Sequence, residues 1–265
     1  MGKIYFIDVT NRDGVQTSRL GLAKLQKTII NYMLNDMGIT QSEFGFPTTR
    51  HEINYLNGNL ELVERGIINK TKLSGWMRAI KDDVKLSFQN VPKLQYLNMS
   101  QSTSEQMING KYQGKKNRDD VLNDTLEAIN EAINQNAQII GVNAEDASRS
   151  DLDYLIKYAN ECKKYGAKRF RYCDTLGYDD PKTAYDRVYT IAKETGMEIE
   201  LHFHNDLGMA TACSVMGAKA AIDAGVDAGS GCWSFHLSLD GRRRHRCRSR
   251  GRFTAPAKAA YEYEE

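Results

Sequence analysis

Short β-rich runs alternate with longer stretches of helical periodicity seven times in the first 228 residues, and an eighth run begins at Val226. Strands joined through helices in this way must lie parallel, because a parallel pair cannot be closed by a tight turn. The strand runs are Ile4–Ile7, Ser42–Phe46, Lys72–Trp76, Leu94–Met99, Ile139–Asn143, Arg169–Cys173 and Glu198–Phe203. Between them the periodicity predicts helices over Leu20–Met37, Glu52–Gly66 and Ala79–Gln89, then from Asp119, from Leu152, over 181–195 and over Met209–Ala224. The helix from Asp119 carries Leu122, Leu126, Ile129 and Ile133 as an apolar stripe. The next-to-last opens on Asp180-Pro181 and closes on Gly196, a start and a stop that suit a helix. Seven units and the start of an eighth predict a (β/α)8 TIM barrel whose last unit is incomplete or diverged. A doubly wound open sheet fits less well, since Asn11-Arg12-Asp13-Gly14-Val15-Gln16 after the first strand is no glycine-rich phosphate loop.

Barrel enzymes build their sites at the C-terminal ends of the strands. Those positions hold Arg12 and Asp13 after the first strand, Glu145, Asp146 and Arg149 after the fifth, Asp174 and Thr175 after the sixth, and His202, His204, Asn205 and Asp206 at the seventh. In His202-Phe203-His204 the two imidazoles stand two residues apart on a strand, so they project to the same side. Two histidines with the carboxylate of Asp13 form a facial set suited to a divalent metal. A hydrogen-bonded histidine pair in a polar layer is the competing explanation of H-x-H by itself. Arg12 could hold an oxyanion or pair with a neighbouring acid. Arg149 reads as a structural partner of Asp146 or another strand-end acid.

Four segments taken together resemble a known family. Asp8-Val9-Thr10-Asn11-Arg12-Asp13-Gly14-Val15-Gln16, Glu145-Asp146-Ala147-Ser148-Arg149, Asp174-Thr175-Leu176-Gly177 and His202-Phe203-His204-Asn205-Asp206-Leu207-Gly208 are similar, in order, to the signature motifs of the DRE-TIM metallolyases. Within the family the chain looks most like the homocitrate synthases of the nitrogen-fixation type, through Ser74-Gly75-Trp76-Met77-Arg78-Ala79 and the Glu145–Ser150 run; isopropylmalate and citramalate synthases share the four motifs. The resemblance implies a metal-dependent Claisen condensation of acetyl-CoA with a 2-oxo acid, here 2-oxoglutarate. It implies Mg²⁺ or Mn²⁺ on Asp13, His202 and His204, with Arg12 stabilising the alkoxide. Gln16 and Thr175 would position the oxo acid. Glu145 would orient a histidine base that the family carries beyond the barrel.

The resemblance stops near residue 228. Residues 1–228 carry 28 basic and 30 acidic side chains, whereas 229–265 carry 8 and 4, so the formal net charge of +2 combines a mildly acidic body with a basic tail. The tail holds seven of the chain's 17 Arg but neither Asn nor Ile, of which the body has 18 each. The sequence therefore divides into a catalytic barrel, 1–228, and a diverged Arg-rich tail, 229–265. A shifted reading frame, the tail of a split enzyme and a basic nucleic-acid arm all remain open for the tail. The last has no interleaved aromatics to support single-strand stacking. The split-enzyme reading leads to the expectation of a second polypeptide and of little activity from this chain alone. A barrel remnant serving as a binding module is the non-enzyme alternative, which deletion of 229–265 would separate. Five cysteines without C-x-x-C spacing indicate neither a disulfide framework nor a zinc ribbon, and are expected to be buried or incidental thiols. The N-terminal apolar run is too short for a signal peptide and no run reaches membrane-spanning length, so a cytoplasmic location is expected.

Overall fold

A computed structural model describes residues 2–17 and 20–230. Eight parallel strands close a barrel in sequence order: β1 Ile4–Asp8, β2 Gln41–Gly45, β3 Lys72–Arg78, β4 Tyr96–Ser102, β5 Ile139–Glu145, β6 Arg169–Asp174, β7 Glu198–Phe203 and β8 Ala228–Ser230. The ring closes where Ile4, Tyr5 and Phe6 pair in register with Ala228, Gly229 and Ser230. Helices α1 Lys24–Met37, α2 Ile53–Glu64, α3 Lys81–Asn90, α4 Glu105–Tyr112, α5 Arg118–Asn134, α6 Leu152–Lys164, α7 Pro181–Thr195 and α8 Ala210–Asp223 connect the strands. The expected barrel is therefore present. The first two residues of the expected tail, Gly229 and Ser230, belong to β8 and close the barrel; the rest of it, 231–265, lies outside the described residues.

The strand alternation sorts side chains into two environments. Leu73 and Met77, Leu97 and Met99, Ile140 and Val142, Phe170 and Tyr172, and Ile199, Leu201 and Phe203 face outward and form the main hydrophobic core beneath the helices. The intervening residues face the barrel axis. There, branched aliphatics usually fill the layers, but this barrel buries Gln41, Glu43, Asn98, Arg169, Arg171 and Glu200.

Two helices depart from expectation. Helix α1 starts at Lys24 rather than Leu20, where the Gln26 side chain accepts the Ala23 N–H (2.8 Å). Helix α4 was not expected: it is eight residues long, buries only Ile108 and so shows no stripe, and is started by Ser104, whose hydroxyl accepts the Met107 N–H (3.1 Å). Helix α5 is capped reciprocally. Asn117 Oδ1 accepts from the N–H groups of Asp119 (2.8 Å) and Asp120 (3.0 Å), while Asp120 Oδ2 accepts the Asn117 N–H (2.9 Å). Replacing Asn117 by Ala is expected to cost about 1 kcal/mol, a fall in melting temperature of roughly 2–4 °C; an unchanged melt would show that the cap contributes nothing. Cys162, Cys173 and Cys213 are buried thiols, as expected, while Cys232 and Cys247 lie outside the described residues. Among the described residues no helix is long and apolar enough to cross a membrane.

Candidate active site at the barrel mouth

The loop after β1 is folded by its own polar groups. Asp8 accepts from the N–H and hydroxyl of Thr10 (both 2.9 Å), and the Val9 carbonyl accepts the N–H groups of Arg12 (3.1 Å), Asp13 (2.8 Å) and Gly14 (3.1 Å). Asn11 anchors the loop to α1 through the Lys27 carbonyl and Asn31 Oδ1, each at 2.9 Å. These bonds turn Arg12 and Asp13 into the mouth. Opposite, the loop after β6 sets the end of β7. The Asp174 side chain accepts the N–H groups of Tyr178 (2.9 Å) and Asp179 (3.1 Å), and its carbonyl accepts the His204 N–H (3.2 Å). Gly177 has φ +59°, and a Cβ there would lie 2.9 Å from the His204 carbonyl oxygen and the Asp206 nitrogen. Only glycine fits both the backbone angle and the space. Asp174 is thus a brace for the loop.

Asp13, His202 and His204 converge. Their donor atoms all lie within 4.8 Å of one another. His202 Nε2 is 3.3 Å and His204 Nε2 3.8 Å from Asp13 Oδ2, and the two Nε2 atoms are 3.0 Å apart. Asp13 Oδ2 is buried and accepts no hydrogen bond, although Oδ1 accepts one from Arg12 Nη1 (2.8 Å). Burial tends to raise the Asp13 carboxyl, but the Arg12 guanidinium and both imidazoles outweigh it and hold the group well below the usual carboxylate range. Burial and the neighbouring His202 lower His204 to about 4, which keeps its lone pair available at neutral pH. One anionic oxygen lacking a donor and two convergent imidazoles fit a divalent cation.

The other expected residues surround this centre. Arg12 Nε donates to Glu43 (2.7 Å), and its guanidinium lies 5.5 Å from the Trp76 ring centroid. Gln16, Glu145 and Thr175 line the same cleft. Glu145 accepts from the Ser102 hydroxyl (2.7 Å) and faces Lys111 Nζ at 3.5 Å. The Thr175 hydroxyl accepts the Asp146 N–H (2.9 Å), leaving its own proton to donate. Arg149 pairs with Asp146 (2.5 Å), as the sequence suggested.

Beneath the centre runs an ionic column that sequence reasoning missed. Glu43 receives Arg12, Asn98 (2.5 Å) and Arg171. Arg171 also donates from Nε (2.8 Å) and Nη2 (2.6 Å) to Glu200, which in turn receives Arg169 (3.1 Å). Burial would raise the Glu43 carboxyl, but Arg171 and Arg12 bring it down to about 2. The available signal was alternation: Glu198, Glu200, His202 and His204 share one parity, as do Arg169 and Arg171.

Fold and site together define a (β/α)8 barrel protein with a place for a divalent metal ion at its C-terminal mouth. The chain belongs to the HMGL-like family, whose model matches residues 3–232. It is 57% identical over 227 residues to the citrate (Re)-synthase of Dehalococcoides mccartyi, covering 86% of this chain and 55% of that one. It is 31% identical over 224 residues to homocitrate synthase 1 of Nostoc sp., covering 84% and 57%. The chain thus spans little more than half the length of these curated relatives. Among solved structures, the hydroxymethylglutaryl-CoA lyase of Pseudomonas aeruginosa superposes with a TM-score of 0.67 at 15% identity, over 86% of this chain and 76% of the other, a likeness of fold.

Proposed function

We propose that the protein condenses acetyl-CoA with oxaloacetate and hydrolyses the resulting thioester with water, releasing citrate and CoA. The observation that carries this reading is the 57% identity to a citrate (Re)-synthase over the region that holds the Asp13–His202–His204 centre. A divalent ion bound there would supply Lewis-acid polarisation of a keto carbonyl. Arg12, fixed by Glu43 and Asp13, presents a permanent positive charge where the keto oxygen becomes an alkoxide. Thr175 and Gln16 orient the oxo acid from the cleft wall. Glu145, which accepts from Ser102, would orient a base supplied from beyond the described barrel toward the acetyl methyl group. Condensation with 2-oxoglutarate is the second reading, supported by the 31% identity to a homocitrate synthase.

The test is acetyl-CoA-dependent thiol release with Mg²⁺ or Mn²⁺ and a panel of oxaloacetate, 2-oxoglutarate, pyruvate and 2-oxoisovalerate. It is run with this chain alone and with the unmatched portion of the Dehalococcoides relative added as a separate chain. The added chain also tests the expectation of a second polypeptide. Oxaloacetate is expected to give the highest kcat/KM; no release with any acid in either format rejects the condensation. Arg12→Lys is expected to lower kcat by roughly 10²–10³-fold, since an ammonium cannot reproduce the fork held between Glu43 and Asp13. A kcat within about threefold of the parent would remove Arg12 from the chemistry.

A further inference from the structure

We infer that Arg78 selects the substrate by pairing with a second carboxylate beyond the keto group, so that the site takes dicarboxylic 2-oxo acids in preference to monocarboxylic ones. This rests on the reading of the barrel mouth as a 2-oxo acid site and adds to it the residue that reads the distal end. Leu73 and Met77 of β3 face the outer core, so Trp76 and Arg78 have the inward parity. Trp76 lies against the Arg12 guanidinium, and Arg12 holds Asp13. Arg78 is two residues further toward the mouth on the same strand, about 7 Å along it, and lines the cleft with Asp13, His202 and His204. Arg78 and the Asp13 centre thus share one cleft, which offers a diacid one residue for each end.

Exposure separates Arg78 from the other cations of the cleft. The side chains of Arg12 and Lys27, paired with Asp13 and Glu43 and with Glu52, are 9% and 5% exposed, whereas that of Arg78, itself paired with Asp83, is 47% exposed. His51 is exposed too, but imidazole lacks the planar fork that matches a carboxylate. The Arg78 fork is already fixed: Asp83, in the first turn of α3, accepts from Nε (2.7 Å) and Nη2 (2.8 Å). A guanidinium oriented before the ligand arrives loses less entropy on binding. The register neighbour Ser100 is polar as well, a setting that suits a carboxylate better than an alkyl group. Asp83 is therefore the positioning residue and Arg78 the specificity residue.

Calorimetric titration of the full chain in Mn²⁺ with freshly prepared oxaloacetate, 2-oxoglutarate and pyruvate tests the assignment. The parent is expected to bind a diacid at least about tenfold more tightly than pyruvate. Arg78→Met is expected to weaken the diacids by about 10- to 100-fold, the size of a lost charged hydrogen bond, while pyruvate shifts less than about twofold. Arg78→Lys, which keeps the charge and the side-chain length, should fall between the two and guards against a folding defect in Arg78→Met. Equal losses for diacid and pyruvate in both variants, or an unchanged diacid affinity, would overturn the assignment. A parent that binds pyruvate and the diacids equally would also overturn it while leaving the 2-oxo acid site standing. A parent that binds none of the acids would reject that site and the assignment with it.

Discussion

Asp13→Asn is expected to abolish divalent-cation binding, lowering Mn²⁺ affinity by at least about 10³-fold, because even outer partners of a metal ligand are worth 10–100-fold. The substitution conserves volume, so what changes is the donor set. Asp13 Oδ1 is held by Arg12, and Oδ2 is the buried oxygen, free of any hydrogen bond, that faces both histidine Nε2 atoms. With the asparagine carbonyl turned to Arg12, its NH₂ meets the imidazoles and occupies the point on which the three donors converged. With the amide reversed, the NH₂ meets the guanidinium. Neither orientation restores an anion beside two lone pairs. Arg12 keeps Glu43 in both, so the loop stays folded and the loss belongs to the centre. Titration followed by Mn²⁺ electron paramagnetic resonance reads this without turnover. An affinity within tenfold of the parent would mean that the three residues form a hydrogen-bonded polar layer.

The Asp13–His202–His204 cluster was legible because its geometry is local. Two histidines at i and i+2 share a side in any strand, and the barrel rule carries Asp13 to the same mouth. The loops around it were legible only as motifs: the bonds that fold the Asp8–Thr10 turn and the close approach at Gly177 were not read from the sequence. The ionic column was not. Arg171 and Glu43 are 128 residues apart, and no spacing in the chain announces that β2 and β6 face each other across the axis. Glu43, Arg171 and Glu200 also each sit in a run that otherwise reads as an ordinary strand. Arg78 escaped for a related reason. The strand was expected to end at Trp76, and β3 in fact runs on to Arg78, held by Asp83 of the following helix.

That column makes the barrel interior depend on charge balance, and Arg171→Met should expose the dependence. Arg171 is 1% exposed and stands between Glu43 and Glu200, both fully buried. Methionine fills much of the volume but leaves two carboxylates short of their shared cation. Breaking one partner out of a buried ionic group costs about 3–5 kcal/mol, which for a protein of this size is a melting-temperature fall of roughly 6–20 °C. Arg171→Met with Glu200→Gln should recover part of the loss, because the second change removes one of the stranded charges. The pH dependence has a definite sign. Glu43 is lowered from 4.5 to about 2, chiefly by Arg171 and Arg12 acting against burial, so its favourable contribution is present above pH 4.5 and is lost as the pH falls toward 2. A protonated Glu43 has no ion pair to lose, so the gap between parent and variant should narrow as the pH drops through that window. Urea unfolding at pH 7 and pH 3.5 measures both quantities. A deficit below about 1 kcal/mol at pH 7, or one that stays the same at both pH values, would mean that the carboxylates find other partners when Arg171 is gone, and that the column is not what holds Arg12 in place above it.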